Sequence, residues 1–256
     1  FGFLSNISKE AIKDVQIFKG HIPANFGGRT SSVIELMSRS GNNYKYGGSL
    51  YGNLMSSGIS AEIPILKKGN AIINFRRSRP SNQFSKVYES IEKYMTVDNK
   101  FNLITETGEQ NINQNTKYDL FSSYEDFFNR FSYLINSKHR ATFTLISSSD
   151  SIFEDRSYYG FSNILESDTT YIEEVNSFKN LGHSINIYSQ WNNKYSTQLS
   201  ISNYSYENNY SSIQSSPQSN NISIVGTANK FNSLSDHSIR FIQQYRNMKN
   251  HNLSIG

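Results

Sequence analysis

Leu181-Gly-His-Ser-Ile-Asn-Ile-Tyr188, Asn192-Asn-Lys194 and Tyr195-Ser-Thr-Gln-Leu-Ser-Ile201 read as strand, tight turn and strand. Leu181, His183, Ile185 and Ile187 fall on one face of the first strand, with Ser184, Asn186 and Tyr188 on the other. Tyr195, Thr197, Leu199 and Ile201 alternate in the same way with Ser196, Gln198, Ser200 and Ser202. A period of two with one apolar and one polar face is the mark of a half-buried β-strand. The outer question is what covers the apolar face.

The pattern repeats on both sides of this hairpin. Towards the N-terminus, Phe127, Phe131, Tyr133 and Ile135 share a face with Asn129, against Arg130 and Ser132; Ser137-Lys-His139 turns; then Ala141, Phe143 and Leu145 alternate with Thr142 and Thr144. Earlier still, Leu50 to Met55 and Ile59 to Ile65 read as strands around Ser56-Ser57-Gly58, and Lys67-Lys-Gly-Asn70 turns into Ala71, Ile73 and Phe75. Towards the C-terminus, Ile239, Phe241, Gln243 and Tyr245 carry a strand, Arg246 to Asn250 turns, and His251 begins the next.

Connections alternate in length. The short ones hold Lys67, Lys68, Lys138, Arg140, Lys194 and Lys249, whereas polar segments about 78–126, 148–176 and 208–236 read as long loops. Most acids lie in the first two, including Glu89, Glu106, Asp119, Asp150, Glu154, Glu173 and Glu174. Strands of about 10 residues, short turns at one end and long loops at the other, are the signature of an outer-membrane β-barrel. Lipid cannot hydrogen-bond a backbone, so such a sheet must close on itself. The pattern predicts about nine antiparallel strands, hence part of a larger barrel.

Composition fits this class. Hydrophobic residues make up 36% and aromatic residues 14%, with 17 Tyr and 17 Phe against a single Trp. Mean hydropathy is −0.58. Disordered chains are as polar, but they are poor in aromatic and β-branched residues. No run has the apolar length of a transmembrane helix, which leaves a strand-built span open. Without cysteine there is no disulfide framework or thiolate metal site. The net charge of +4 comes from basic residues clustered at turns, with no basic stripe interleaved with aromatics, so nucleic-acid binding is not expected.

The head of the chain differs. Leu4 to Ala11 predicts a short helical turn with Ser8 as N-cap. Ile12-Lys-Asp-Val-Gln-Ile-Phe-Lys-Gly20, His21-Ile-Pro-Ala-Asn-Phe-Gly-Gly-Arg29 and Ser31-Ser-Val-Ile-Glu-Leu-Met-Ser-Arg39 read as strand, glycine-rich turn and strand. A phosphate loop is excluded, because there is no Gly-x-Gly-x-x-Gly or Walker pattern and no helix follows.

With this head placed directly before barrel hairpins, the chain resembles the TonB-dependent outer-membrane receptors of Bacteroidetes-type bacteria. The residues that carry the resemblance are Ala11 to Gly20 (Lys19 and Gly20 above all), Pro23-Ala24, Phe26-Gly27-Gly28-Arg29 and Ser31 to Leu36. The family more often has Tyr where Phe26 stands. The resemblance implies that residues 1–43 are the C-terminal part of a small α+β plug domain, and that 44–256 are the first part of a barrel of about 22 strands. It further implies a TonB-contacting segment upstream and an outer-membrane location, with long loops extracellular and short turns periplasmic. The implied activity is energised uptake of a scarce solute: siderophore, vitamin, oligosaccharide or peptide. Ser31-Ser-Val-Ile-Glu-Leu36 departs from the Asn-Gly-Val-Ile of the SusC branch, which weighs against a surface-lipoprotein lid as partner. Two other classes remain: a non-transporting barrel in a surface protein assembly, and a passive porin, against which the plug motif argues.

The site expectations follow. Under the resemblance Arg29 presents charge to the barrel wall, with Glu62 as its acidic partner. Arg76, Arg130 and Arg240, lumen-facing by alternation, are expected to meet plug acids such as Glu35 in ion pairs that latch the plug. Tyr88, Tyr94, Tyr118, Tyr158, Tyr159 and Tyr171, in the long loops, are candidate ligand-facing aromatics, since tyrosine offers both a stacking face and a hydroxyl. No cofactor and no metal are expected. His21, His139, His183, His237 and His251 are scattered without metal-ligand spacing. Ser235-Asp-His237 holds the residue types of a triad without its geometry, no Gly-x-Ser-x-Gly elbow occurs, and no enzymatic activity is expected.

Overall fold

A computed structural model describes residues 8–20, 22, 26, 32–53, 56–78, 102–105, 108–111, 117–162, 165–217, 223–247 and 251–255. They are nearly all antiparallel β-sheet. The one helical element among them is a 3-10 turn, Lys9–Ala11, which Ser8 caps by accepting from the Glu10 amide.

Two strands, β1 (Ile12–Lys19) and β2 (Ser32–Ser38), form a separate hairpin in which Val15 faces Leu36 and Ile17 faces Ile34. Gly20 leaves β1 at φ +78°, a left-handed conformation that glycine adopts without strain. The large sheet begins with β3 (Gly47–Gly52), β4 (Ser56–Ile65) and β5 (Gly69–Ser78). A small ribbon, β6 (Asn102–Thr105) and β7 (Gly108–Asn111), stands apart. Then come β8 (Lys117–Leu134), β9 (His139–Ser162), β10 (Leu165–Gln190), β11 (Tyr195–Pro217), β12 (Ser223–Asn247) and β13 (His251–Ile255). The large sheet has nine strands in the order β13-β12-β11-β10-β9-β8-β5-β4-β3, so every neighbour is the next strand of that sheet along the chain.

The short turns share one piece of chemistry. Asn136 Oδ1 accepts from the amides of Lys138 and His139, and Asn192 Oδ1 accepts from those of Lys194 and Tyr195. An asparagine side chain thereby stands in for a backbone carbonyl and closes the turn. At 66–68 the backbone does this work itself: Lys68 N–H donates to the Ile65 carbonyl, and Leu66 and Lys67 take positive φ.

Three sequence expectations are corrected. Ser56, Ser57 and Gly58 are not a turn; they belong to β4, and the Ser56 amide donates to Asn53 Oδ1. The described residues of 148–176 and 208–236 are strand and not loop. They continue β9 to β12 as paired strands, from Ser148 opposite Asn180 up to Ser162 opposite Leu165, and from Asn208 opposite Asn232 up to Pro217 opposite Ser223. Of 78–126, the described part is also strand: the β6–β7 ribbon and the start of β8. The hydrophobic cluster is small: Ala11, Ile72 and Phe128, with Ile146 packed against it.

Candidate functional site

The strands dictate two faces. On one, β8 to β12 present Tyr124, Asp126, Phe128, Arg130 and Ser132, then Thr142, Thr144, Ser148 and Asp150, then Asn180, Asn186, Ser196 and Arg240. This inner face is polar, and Asn70, Asn74, Asp126, Ser148 and Asn180 on it are buried. The opposite face carries most of the large apolar side chains, and Ile59, Phe75, Phe143, Ile185, Ile201 and Ile239 among them are exposed.

Along the sheet, ladder partners extend this outer face from strand to strand: Leu50 opposite Ile59, Ile59 opposite Phe75, Phe75 opposite Phe127, Phe131 opposite Phe143, Phe143 opposite Ile185, Ile185 opposite Ile201 and Ile201 opposite Ile239. Leu50 is 82% exposed and Ile239 77%. The band is bounded. On β9 it gives way after Leu145 to Ser147, Ser149 and Ser151, and on β11 after Ile201 to Asn203 and Ser205. At the short-turn end it finishes in Tyr133, Trp191, Tyr195 and Tyr245, the last two directly opposite each other. Trp191 Nε1 donates to Thr197 Oγ1 at 2.9 Å, and its ring meets that of His139 edge-on, with centroids 5.1 Å apart. Leu181 to Trp191 is 11 residues, close to the roughly 9–11 that a tilted strand needs to cross a bilayer.

The N-terminal segment lies against the inner face. Arg130 Nη1 donates to the Ser38 carbonyl at 2.9 Å, the Ser38 hydroxyl at 2.8 Å and the Arg39 carbonyl at 3.2 Å. Arg39 pairs with Glu62 at 3.2 Å and lies 3.9 Å from Glu10. The Asn42 amide donates to the other Glu62 oxygen, and the Gly41 amide to Asn70 Oδ1. Ser8 and Tyr51 share a hydrogen bond of 2.9 Å. Arg240 of β12 lies 5.7 Å from the centroid of the Phe26 ring, and Phe26 in turn meets Phe18 of β1.

Beyond the band, where Glu125 and Ser149 replace apolar residues on the outer face, the inner face holds a charged cluster. Arg76 and Asp126 are ladder partners joined by two hydrogen bonds, that from Nε being 2.6 Å, and the guanidinium lies 4.9 Å from the Tyr124 ring centroid. Asp150, opposite Tyr124, is buried. Burial pushes its carboxyl up to about 6; the neighbouring Asp126 adds to this, and Arg76 opposes it.

The predicted site residues therefore sort unevenly. Glu62 pairs with Arg39, and Arg29, the partner expected for it, lies outside the described residues. Arg130 does reach the N-terminal segment, through carbonyl oxygens of Ser38 and Arg39; Glu35 makes no ion pair among the described residues. Arg76 pairs with Asp126, which lies directly across the ladder from it. Arg240 meets an aromatic ring where an acid was expected. Lys19 ends β1 and is exposed. Pro23, Gly27, Gly28, Arg29, Tyr88 and Tyr94 lie outside the described residues, as do the side chains of Tyr118, Tyr158 and Tyr159, whose backbones run in β8 and β9. Tyr171 sits in β10, 47% exposed. Sequence reasoning missed Arg39, Asp126 and Asp150. The signal for Asp126 was available: counted back from Arg130 and Phe128, it falls on the inner face.

No group of three or more histidine or acidic side chains among the described residues could hold a metal ion. No described helix is long and apolar enough to cross a membrane, which says nothing of crossing by strands. Comparison with protein-family models, curated proteins and solved structures returned no significant match. The functional reading therefore rests on the residues themselves.

Proposed function

We propose that this chain is the end of a plug domain followed by the first strands of an outer-membrane β-barrel of the TonB-dependent kind, acting in energised uptake of a solute. The observation that carries the reading is the exposed apolar band on the outer face, bordered at its short-turn end by tyrosines and Trp191 and backed by a polar inner face that receives the N-terminal hairpin. Burying such a band in lipid is worth about 25 cal/mol per Å² of apolar surface, and aromatic girdles belong at the interfaces of transmembrane barrels. In this reading residues 1–43 are plug and 44–256 barrel wall, and the short turns at 66–68, 135–138 and 192–194 face the periplasm. The solute enters from the far end, where β9 to β12 project. Partners are outer-membrane lipid and, through a segment upstream, the TonB complex. The length of the paired arms supports the second reading, a wall component that docks another surface protein.

Trp191 is the only tryptophan, so its fluorescence reports one place. In lipid vesicles its emission is expected to shift to the blue and to be quenched by lipids brominated near the headgroup more than by those brominated deep in the chain. A water-exposed Trp191, unquenched in vesicles, overturns the membrane reading. Ligand-dependent uptake that needs a functioning TonB complex separates the importer from the assembly component.

A further inference from the structure

Between the β1–β2 hairpin and the inner face of β8 to β11 lies a cavity of about 490 Å³. Three elements bring cations to it: Lys13 from β1, Arg130 from β8 and Arg140 from β9. Glu35 of β2 is the one carboxylate among its described lining residues, and Thr142, Thr144, Asn186, Tyr188 and Gln198 are among the others. Lys13 and Arg140 make no ion pair among the described residues. Arg130 spends Nη1 on the Ser38 and Arg39 carbonyls, while its Nε is buried without a hydrogen-bond partner among the described residues.

Three positive charges against one negative, gathered around a concave site, leave a surplus that low-dielectric walls focus into the cavity. Guanidinium groups present several N–H donors in a plane that matches the oxygens of phosphate and carboxylate groups. The volume suits a small ligand, since such sites occupy roughly 300–1,000 Å³. We propose that this cavity binds a small oxyanion carrying two or more negative charges, held by Arg140 and Lys13 and bounded by Arg130. Arg140 is the second residue of β9 after the 135–138 turn, so the site lies at the short-turn end of the wall. The inference needs the hairpin seated on the inner face and is independent of transport.

Titration calorimetry of the purified protein in detergent micelles, with pyrophosphate as probe in chloride buffer of constant ionic strength, tests it. Wild type binds. Arg140→Gln weakens binding by at least about tenfold and Lys13→Gln by roughly threefold, the scale of losing one charge-assisted contact. Glu35→Gln tightens binding, a gain that misfolding cannot produce. Lys230→Gln, on the distal arm of β12, leaves it unchanged. Absence of pyrophosphate binding to wild type, or an affinity unchanged in Arg140→Gln, overturns the proposal.

Discussion

Arg130 makes three of the hydrogen bonds that join the large sheet to the N-terminal segment. Its three acceptors are two carbonyls and a hydroxyl of Ser38 and Arg39, and charged donors to such acceptors are worth more than neutral ones. Arg130→Ala is expected to cost about 2–4 kcal/mol and to expose the β1–β2 amides in hydrogen exchange, while the β9–β10 amides stay protected. Glu62→Gln acts on the same contact with a smaller effect, under about 1 kcal/mol, because Arg39 is 42% exposed and water screens the pair. Equal protection of β1–β2 in wild type and Arg130→Ala would show that the hairpin is held elsewhere. Asp150 makes a pH prediction. Its folded-state carboxyl titrates near 6, above the ordinary 3.8, so the folded state holds the proton more tightly than the unfolded chain does. The stability this contributes is full below about pH 4 and is lost as pH rises through about 6. Asp150→Asn should therefore be more stable than wild type at pH 8 by on the order of 2 kcal/mol, with the gap closing by pH 4. Urea unfolding at the two pH values measures it, and a gap independent of pH would refute the titration.

At the scale of the element, the turns and close approaches decide register. Lys67 holds φ 56° in the 66–68 turn, a conformation costly for a residue with a Cβ. Lys67→Gly is expected to stabilise the β4–β5 hairpin by about 0.5–1 kcal/mol. Gly69 follows two residues on, and there a Cβ would stand 2.5 Å from the Ser132 carbonyl and 2.8 Å from the Tyr133 ring. Gly69→Ala forces β5 and β8 apart and should cost roughly 2–4 kcal/mol, read as loss of β5–β8 amide protection. The strands near these turns were legible because one face is apolar and the other wet: Ile59, Ile63, Phe143 and Ile185 stand out at period two. The distal halves of β9 to β12 were not legible. Runs such as Asn203-Tyr-Ser-Tyr-Glu-Asn-Asn-Tyr210 are polar or amphipathic on both faces, so the alternation that marks a strand disappears although the ladder continues. What holds these arms is visible only in three dimensions. Tyr204 donates to Asn180, Asn180 to Ser148, Tyr210 to Glu174, and Asn232 to Asn208, which itself donates to Asn176.

For the whole molecule, the nine-stranded sheet separates a mainly polar face from a mainly apolar one. Its small buried apolar cluster includes Ala11 of the N-terminal turn, most of its buried polar groups line the inner face, and most of its exposed large apolar residues lie on the outer face. The alternation of the 181–201 hairpin forecasts that separation. It could not forecast which N-terminal arginine meets Glu62, because 23 residues of chain separate Arg39 from it and the seating of one sheet on another leaves no local pattern. The two faces make opposite predictions for adjacent positions. Ile185 is on the outer face, 48% exposed, and Asn186 is on the inner face beside the polar cavity. If lipid covers the outer face, Ile185→Arg lowers the stability of the vesicle-inserted protein by about 2–4 kcal/mol, whereas Asn186→Arg costs well under half of that. In detergent-free buffer, where water covers both faces, the two variants should differ little. Urea unfolding in vesicles and in buffer measures all four values. A similar cost for both variants in vesicles would mean that lipid does not discriminate the faces, and the apolar band would then have to be covered by another protein surface.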